Sequence, residues 1–205
     1  MPTPTVVLAS RNPGKIEEML GILHGLPCTF TAVAAYPGVA DIEEDGRTME
    51  ENAYKKAREV FRQTGLPAIG DDSGLEVYRL DMRPGVFSAR YAGEHATYAA
   101  NNEKLLHELD GVPAAEREAR FRCVAAYVDG ATEKICVGIC RGTIIEAPRG
   151  RGGFGYDPLF VPRGASLTFA EIALDVKNTI SHRAKAFRQM RSFLETRLAT
   201  SSEPS

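Results

Sequence analysis

The sequence predicts an α/β protein built on a mixed β-sheet, and three observations carry that prediction. Short runs rich in β-branched residues, such as Val6 and Val7 within 5–9, alternate with longer segments whose apolar residues recur at helical spacing. Two strand-like runs flank Asp129-Gly130 and read as a hairpin with a loop longer than the minimal type, which makes part of the sheet antiparallel. At 205 residues the chain can form one large domain, or one domain of two lobes, and bury a substantial core without staples.

The first strand, 5–9, breaks at Ser10-Arg11-Asn12-Pro13-Gly14-Lys15, a turn by composition. Ile16, Leu20 and Leu23 then mark a helix with Glu17 and Glu18 on its polar side. The segment 38–51 is acidic, and a helical stripe of Met49, Ala53, Ala57 and Val60 begins near Thr48. Its early acids and later basic residues suit the helix dipole. Residues 66–70 read as a short buried strand that ends abruptly in Asp71-Asp72-Ser73-Gly74. A turn-rich stretch over 80–96 leads to a helix from about Thr97 to Leu109. Phe121, Cys123, Ala125 and Tyr127 alternate with Arg122, Val124, Ala126 and Val128 in a strand covered on both faces, and Ile135, Val137 and Ile139 mark its hairpin partner. A glycine-rich loop fills 149–164, and Phe187, Met190, Leu194 and Leu198 set the stripe of a C-terminal helix. The organisation expected is one domain over 1–199 with a flexible tail over 200–205.

A formal net charge of -2 argues against general nucleic-acid binding, which needs a large positive excess. No run approaches 18 consecutive apolar residues, so no membrane span is expected. The N-terminus has neither a basic region nor room for a signal sequence. Cys28, Cys123, Cys136 and Cys140 show no CxxC spacing, and Cys136 and Cys140 lie about 13 Å apart along a strand, too far for a disulfide. Reduced core thiols in a cytoplasmic protein are expected.

Four segments suit chemistry. Ser10 to Lys15 precedes a helix N-terminus, whose free N–H groups and dipole attract anions, with Ser10, Arg11, Asn12 and Lys15 as added donors. It is neither a P-loop nor a dinucleotide fingerprint, and an ordinary capped turn is the alternative. Asp71-Asp72, placed at a strand end where open α/β folds bind ligands, repel each other unless a cation compensates. With Glu43, Glu44 and Glu51 they form a hard oxygen set suited to Mg2+; helix caps and a solvated loop are the alternative. Gly150 to Pro158 is rich enough in glycine for its backbone to approach a ligand, with Phe154 or Tyr156 to stack on a planar ring and Asp157 or backbone amides to read its edge. Ser181-His182-Arg183, four residues beyond Lys177, places positive groups in the first turn of the last helix, against its dipole. A hydrolytic triad through Ser73 is disfavoured, because Asp-Asp-Ser-Gly-Leu lacks the nucleophile elbow.

These motifs in this order resemble the inosine/xanthosine triphosphate pyrophosphatases, the Ham1-like or RdgB-like family, over about residues 5–198. The marks are the segment from Leu8 to Lys15, Glu51-Asn52-Ala53 with Lys56-Ala57, Asp71 to Leu75, Pro84 to Tyr91, Gly152 to Pro158 and Ser181-His182-Arg183. The resemblance implies an elongated mixed sheet with flanking helices and two lobes around a central nucleotide-binding cleft. It implies a cytoplasmic homodimer that hydrolyses ITP, dITP and XTP to the monophosphate and pyrophosphate with Mg2+. On that pattern Ser10, Arg11, Asn12, Pro13, Gly14 and Lys15 bind triphosphate, and Glu43 and Asp72 hold the metal. Asp72 accepts the proton with Asp71 beside it, Lys15 takes up developing charge, and Ser73 touches substrate. Phe154, Gly155, Tyr156, Asp157, Lys177, His182 and Arg183 form the base pocket. One departure stands out: the family usually has glycine where this chain has Arg11, which either adds a phosphate contact or points to solvent. The competing readings are a Maf-like pyrophosphatase for modified pyrimidines and a nucleotide-sensing module without turnover.

Overall fold

In the computed structural model, which describes residues 3–200, the first apolar run is strand β1 (Thr5–Leu8), followed by helix α1 (Pro13–Leu23). Asn12 caps α1 by accepting from the Lys15 amide at 3.2 Å, and Pro13 occupies the first turn, where a missing N–H costs nothing. Thr48 caps α2 (Met49–Thr64) through the Glu51 amide, and Gly65, at φ 69°, closes it. Thr97 caps α3 (Tyr98–Glu108) in the same way through Ala100. The other elements are β2 (Thr29–Ala32), β3 (Ala68–Val77), β4 (Glu118–Val128), β5 (Glu133–Ile144), β6 (Phe160–Pro162), α4 (Leu174–Ile180) and α5 (His182–Thr200). The expected tail lies, from residue 201, outside the described residues.

The strands form one sheet in the order β2-β1-β3-β4-β5-β6. Strand β1 runs parallel to β2 and β3, whereas β5 and β6 are antiparallel, so the sheet is mixed and flanked by helices as the sequence predicts. Two expectations need correction. The strand at 66–70 does not end before Asp71; β3 continues for ten residues to Val77, carrying both aspartates in its middle. Buried Leu75 and Val77 resume the apolar pattern, and the charges between are compensated by side chains from neighbouring helices. Strands β2 and β6 and helix α4, seven residues or shorter, lie where the sequence showed no clear period.

The chain divides into two compact units, the first comprising the chain up to Asp72, Cys123–Gly138 and the chain from Arg183, the second Ser73–Arg122 and Ile139–His182. In the first unit the pleat of β1 sends Val6 and Leu8 to one face and Val7 and Ala9 to the other. The Val6 face packs Ile69, Cys123, Ala125 and Tyr127 with Met19 and Leu23 of α1 and Ala186, Phe187 and Met190 of α5. The Val7 face packs Ala68 with Val60 of α2. Gly70 lies where α2 rests directly on the strand, since a Cβ there would stand 2.3 Å from the Ala53 carbonyl oxygen. The second unit centres on Leu75, Val77, Cys140 and Ile144 with Leu105 and Leu109 of α3. Phe121, Phe160 and Phe169 cluster there at centroid distances of 4.7 to 6.0 Å. Each fully buried Leu or Phe of these cores contributes about 1.5–3 kcal/mol. None of the four cysteines is in a disulfide among the described residues.

Candidate active site

Alternation along β3 separates the two aspartates within the first unit. Asp71 meets Lys15 Nζ of α1 at 3.2 Å and Arg183 Nη2 of α5 at 3.4 Å, and Arg183 Nη1 donates to Glu18 Oε2 at 2.5 Å. The result is a buried chain, Glu18–Arg183–Asp71–Lys15, with two charges of each sign. Burial works against the Asp71 charge, but the Lys15 and Arg183 cations outweigh it and hold its carboxyl well below the usual carboxylate range. Arg183 explains the positive group at the start of α5: its partners are two buried carboxylates rather than the helix dipole.

Asp72 faces α2, where Asn52 Nδ2 donates to its Oδ2 at 3.0 Å. Burial pushes the Asp72 carboxyl upward against the pull of Lys15 and Lys56, and the Glu44 charge adds to the rise. Adjacent acids therefore differ in kind: Asp71 is locked ionised in ion pairs, and Asp72 is a desolvated carboxylate of increased basicity.

The acidic loop is tied to α2 by the Gly46 amide donating to Asn52 Oδ1 at 2.8 Å and the Arg47 amide donating to Glu51 Oε2 at 2.6 Å. Glu44 pairs with Lys56 Nζ at 2.6 Å, and its charge acts on both Lys15 and Asp72. Glu43 instead lines a surface pocket with Asp41, Glu51, Lys55, Arg58 and Glu59. The loop carboxylate whose charge reaches Asp72 is Glu44, which the sequence placed with Glu43 and Glu51 in one set of oxygen ligands. Among the described residues no group of three or more His, Cys, Asp or Glu side chains is arranged to hold a metal ion. Two carboxylates still fit Mg2+ chemically, since that ion keeps several waters and uses few protein oxygens.

In the first loop Ser10 Oγ accepts from the Asn12 amide at 3.3 Å, and Pro13, Gly14 and Lys15 form the first turn of α1. Arg11 is held by its own loop partners: its Nη2 donates to the Val39 carbonyl at 2.6 Å and its Nε pairs with Asp41 at 2.6 Å. Its φ is not positive, so arginine is unstrained where glycine was expected.

The second unit holds Ser73, on β3, and the loop from Phe154 to Asp157. Asp157 Oδ2 accepts from Lys177 Nζ at 2.5 Å and from the Phe154 amide at 2.9 Å; the Asp157 and Lys177 side chains are each only 3% exposed. The Lys177 ammonium lies 5.0 Å from the Phe154 ring centre and 5.4 Å from that of Phe169. A Cβ on Gly153 would stand 2.1 Å from Asp157 Oδ2, so the loop closes over this pair only with glycine. Tyr156 is buried in the core, and its hydroxyl donates to the Ser88 carbonyl at 2.9 Å, which leaves Phe154 as the aromatic available for stacking. His182 stacks on Phe121 at 4.6 Å. Glu18, Asn52 and Lys56 were given no role by sequence reasoning, although Asn52 and Lys56 stood inside a recognised motif.

A desolvated carboxylate flanked by two lysines, beside a second carboxylate fixed by cations, defines a centre suited to take a cation and a polyanion together. The chain belongs to the Ham1 family, which its residues 6–193 match. It is 49% identical over 190 residues to the dITP/XTP pyrophosphatase of Geobacter sulfurreducens, covering 92% of this chain and 96% of that protein. Its fold is similar to that of a HAM1 protein from Coxiella burnetii, at a TM-score of 0.86 and 43% identity over 95% of this chain and all of the other. It is also similar to a dITP/XTP pyrophosphatase from Mycobacterium abscessus, at a TM-score of 0.69 and 36% identity over 96% of each chain.

Proposed function

We propose that this chain is a hydrolase that converts the deaminated purine nucleotides ITP, dITP and XTP to their monophosphates and pyrophosphate, with Mg2+ as cofactor, and so clears them from the nucleotide pool. The observation that carries the reading is the split acidic pair on β3, in a chain 49% identical to a dITP/XTP pyrophosphatase. The reading includes a cytoplasmic homodimer with neither nucleic-acid nor membrane partners; among the described residues no helix is long and apolar enough to cross a membrane.

Asp72 is the proton acceptor, because burial and the Glu44 charge raise its basicity where a water must be activated. Asp71 does not compete for that proton; it holds Lys15 in place beside β3. Lys15, kept cationic against its own burial by Asp71, faces the charge that develops on the phosphates. Asp72 and Glu44 would hold Mg2+, with Glu43 as the neighbouring carboxylate of the loop. When bound, Mg2+ supplies positive charge to the phosphate oxygens and helps pyrophosphate leave. Base selection requires a donor for the 6-oxo oxygen of hypoxanthine and xanthine, which adenine lacks, and no partner for the 2-amino group of guanine. Arg183 is already committed to Glu18 and Asp71, which favours a backbone N–H of the 154–157 loop as that donor.

The test is pyrophosphate release from ITP, XTP, GTP, ATP and dTTP, with Mg2+ and with EDTA. Mg2+-dependent release from ITP and XTP about 100-fold above ATP and GTP is expected. Activity on dTTP alone would move the chain to the pyrimidine class, and saturable ITP binding without release would make it a sensor. Asp72→Asn should lower kcat by about 100-fold or more with the fold intact; retained turnover would remove Asp72 from the role of essential base.

A further inference from the structure

The loop that carries Phe154 is held by a side chain that no sequence motif singled out. Asn102, on the second turn of α3, donates from Nδ2 to the Gly155 carbonyl at 3.1 Å. One turn earlier on the same helix, the Tyr98 ring lies 6.4 Å from that of Phe154. The remaining polar groups around the loop are also occupied: the Phe154 and Lys177 donors by Asp157, the Asp157 amide by the Phe154 carbonyl, and the Tyr156 carbonyl by the Leu159 amide. Two consecutive backbone donors stand apart. The N–H groups of Gly155 and Tyr156 make no hydrogen bond among the described residues, although Tyr156 is only 4% exposed. An N–H that no protein acceptor satisfies, in one half-buried and one buried residue of a loop, can serve an external acceptor.

The geometry of the two residues suits a single acceptor atom. Gly155 has φ 60° and Tyr156 has φ -91° and ψ 9°, a change of hand that turns successive N–H groups toward a shared concavity. In a planar trans peptide the carbonyl and the following N–H point in opposite directions. Holding the Gly155 carbonyl therefore aims the Tyr156 N–H. Nothing lies within 4 Å of where a Gly155 Cβ would be, so packing does not wedge this peptide from that side. Asn102 also bears a cost. Its Oδ1 is buried and accepts no hydrogen bond among the described residues, and rotating the amide would set that oxygen against the Gly155 carbonyl. A residue kept only for stability has little reason to carry that penalty.

We propose that Asn102 is a positioning residue for base selection, which by gripping the Gly155 carbonyl presents the N–H groups of Gly155 and Tyr156 to the 6-oxo oxygen of the substrate purine. The proposal rests on the pyrophosphatase reading above. Its test compares wild type, Asn102→Ala and Asn102→Asp on ITP and on purine riboside triphosphate, which lacks the 6-oxo oxygen, with melting temperatures measured alongside. On ITP both variants should lose about tenfold in kcat/KM, mainly through KM, with kcat within about twofold. The Asp variant, isosteric but unable to donate as a carboxylate, should be no better than the Ala variant. On purine riboside triphosphate all three enzymes should agree within about twofold. An equal fold loss on both substrates, a loss confined to kcat, or no loss on ITP would overturn the proposal while leaving the pyrophosphatase reading in place. Wild type that releases no pyrophosphate from ITP would overturn both. Should the Ala variant fail to fold, the isosteric Asp variant carries the same comparison.

Discussion

Replacing Asp71 by Asn should unfold the protein at a far lower temperature, whereas the same change at Asp72 should not. Asp71 is fully buried, with cations at 3.2 and 3.4 Å. At an effective dielectric of about 20 each attraction amounts to about 5 kcal/mol, before the cost of desolvating the carboxylate. Asp71→Asn would leave Lys15 and Arg183 in place with Glu18 as the remaining acid of the chain. Removing one partner of a buried ion pair costs about 3–5 kcal/mol, and a chain of this size loses about 2–4 °C per kcal/mol, so the melting temperature should fall by about 6–20 °C. Asp72→Asn removes a charge that burial already disfavours and keeps the contact with Asn52 possible, so its melting temperature should match or exceed wild type. Differential scanning calorimetry at pH 7 in EDTA reads both variants without a metal contribution. An Asp71→Asn protein melting within about 2 °C of wild type, or an Asp72→Asn protein losing as much, would refute the division of the pair into a structural and a reactive acid.

Lys177→Met leaves the Asp157 carboxylate buried without its cation, and should cost about 3–5 kcal/mol in urea unfolding together with most ITP turnover. Burial works against the Asp129 charge, but Arg197, Tyr127 and the Ala131 and Thr132 amides, all donating to its carboxylate, hold its folded pKa below the usual value. The stability it contributes is therefore present above its unfolded pKa and lost as pH falls through the lower folded value; Asp129→Asn should cost about 1–3 kcal/mol at pH 7 and flatten the acid limb of a stability–pH curve. Gly70→Ala should cost at least about 1–3 kcal/mol by pushing α2 off β3, as read by chemical denaturation.

What could be read in the sequence follows from where its signals are local. Helices α1, α2 and α3 are announced by apolar residues at helical spacing, and each starts within a few residues of where that pattern begins, capped by Asn12, Thr48 and Thr97. The continuous apolar run read as the first strand is β1, parallel to β2 and β3, and the two runs flanking Asp129-Gly130 are β4 and β5, neighbours in the sheet. The length of β3 was hidden because carboxylates in a buried strand are tolerated only when Lys15, Arg183 and Asn52 arrive from 20 to 112 residues away. The same reason conceals Glu18: on its own helix it reads as a solvated acid, and only Arg183, 165 residues later, makes it a buried one. Asn102 left no trace because half-buried asparagines are common on helices, and its partner is a backbone carbonyl.

The placement of two acids in the middle of β3 means that their duties belong to the pleat rather than to the residues. Sequence neighbours on a strand are turned away from each other, so one peptide unit delivers one carboxylate to the helices on one face and the other to the helix on the opposite face. A slip of β3 by a single residue would misplace them, either seating Asp72 among the cations with Ser73 in the desolvated slot, or handing Asp71 that slot with Gly70 among the cations. Gly70, pressed against the backbone of α2, is the pawl that prevents that slip, since any neighbour moved into its place would collide with the Ala53 carbonyl. The register of the acidic pair is thus indexed by a glycine packed against the backbone of a helix.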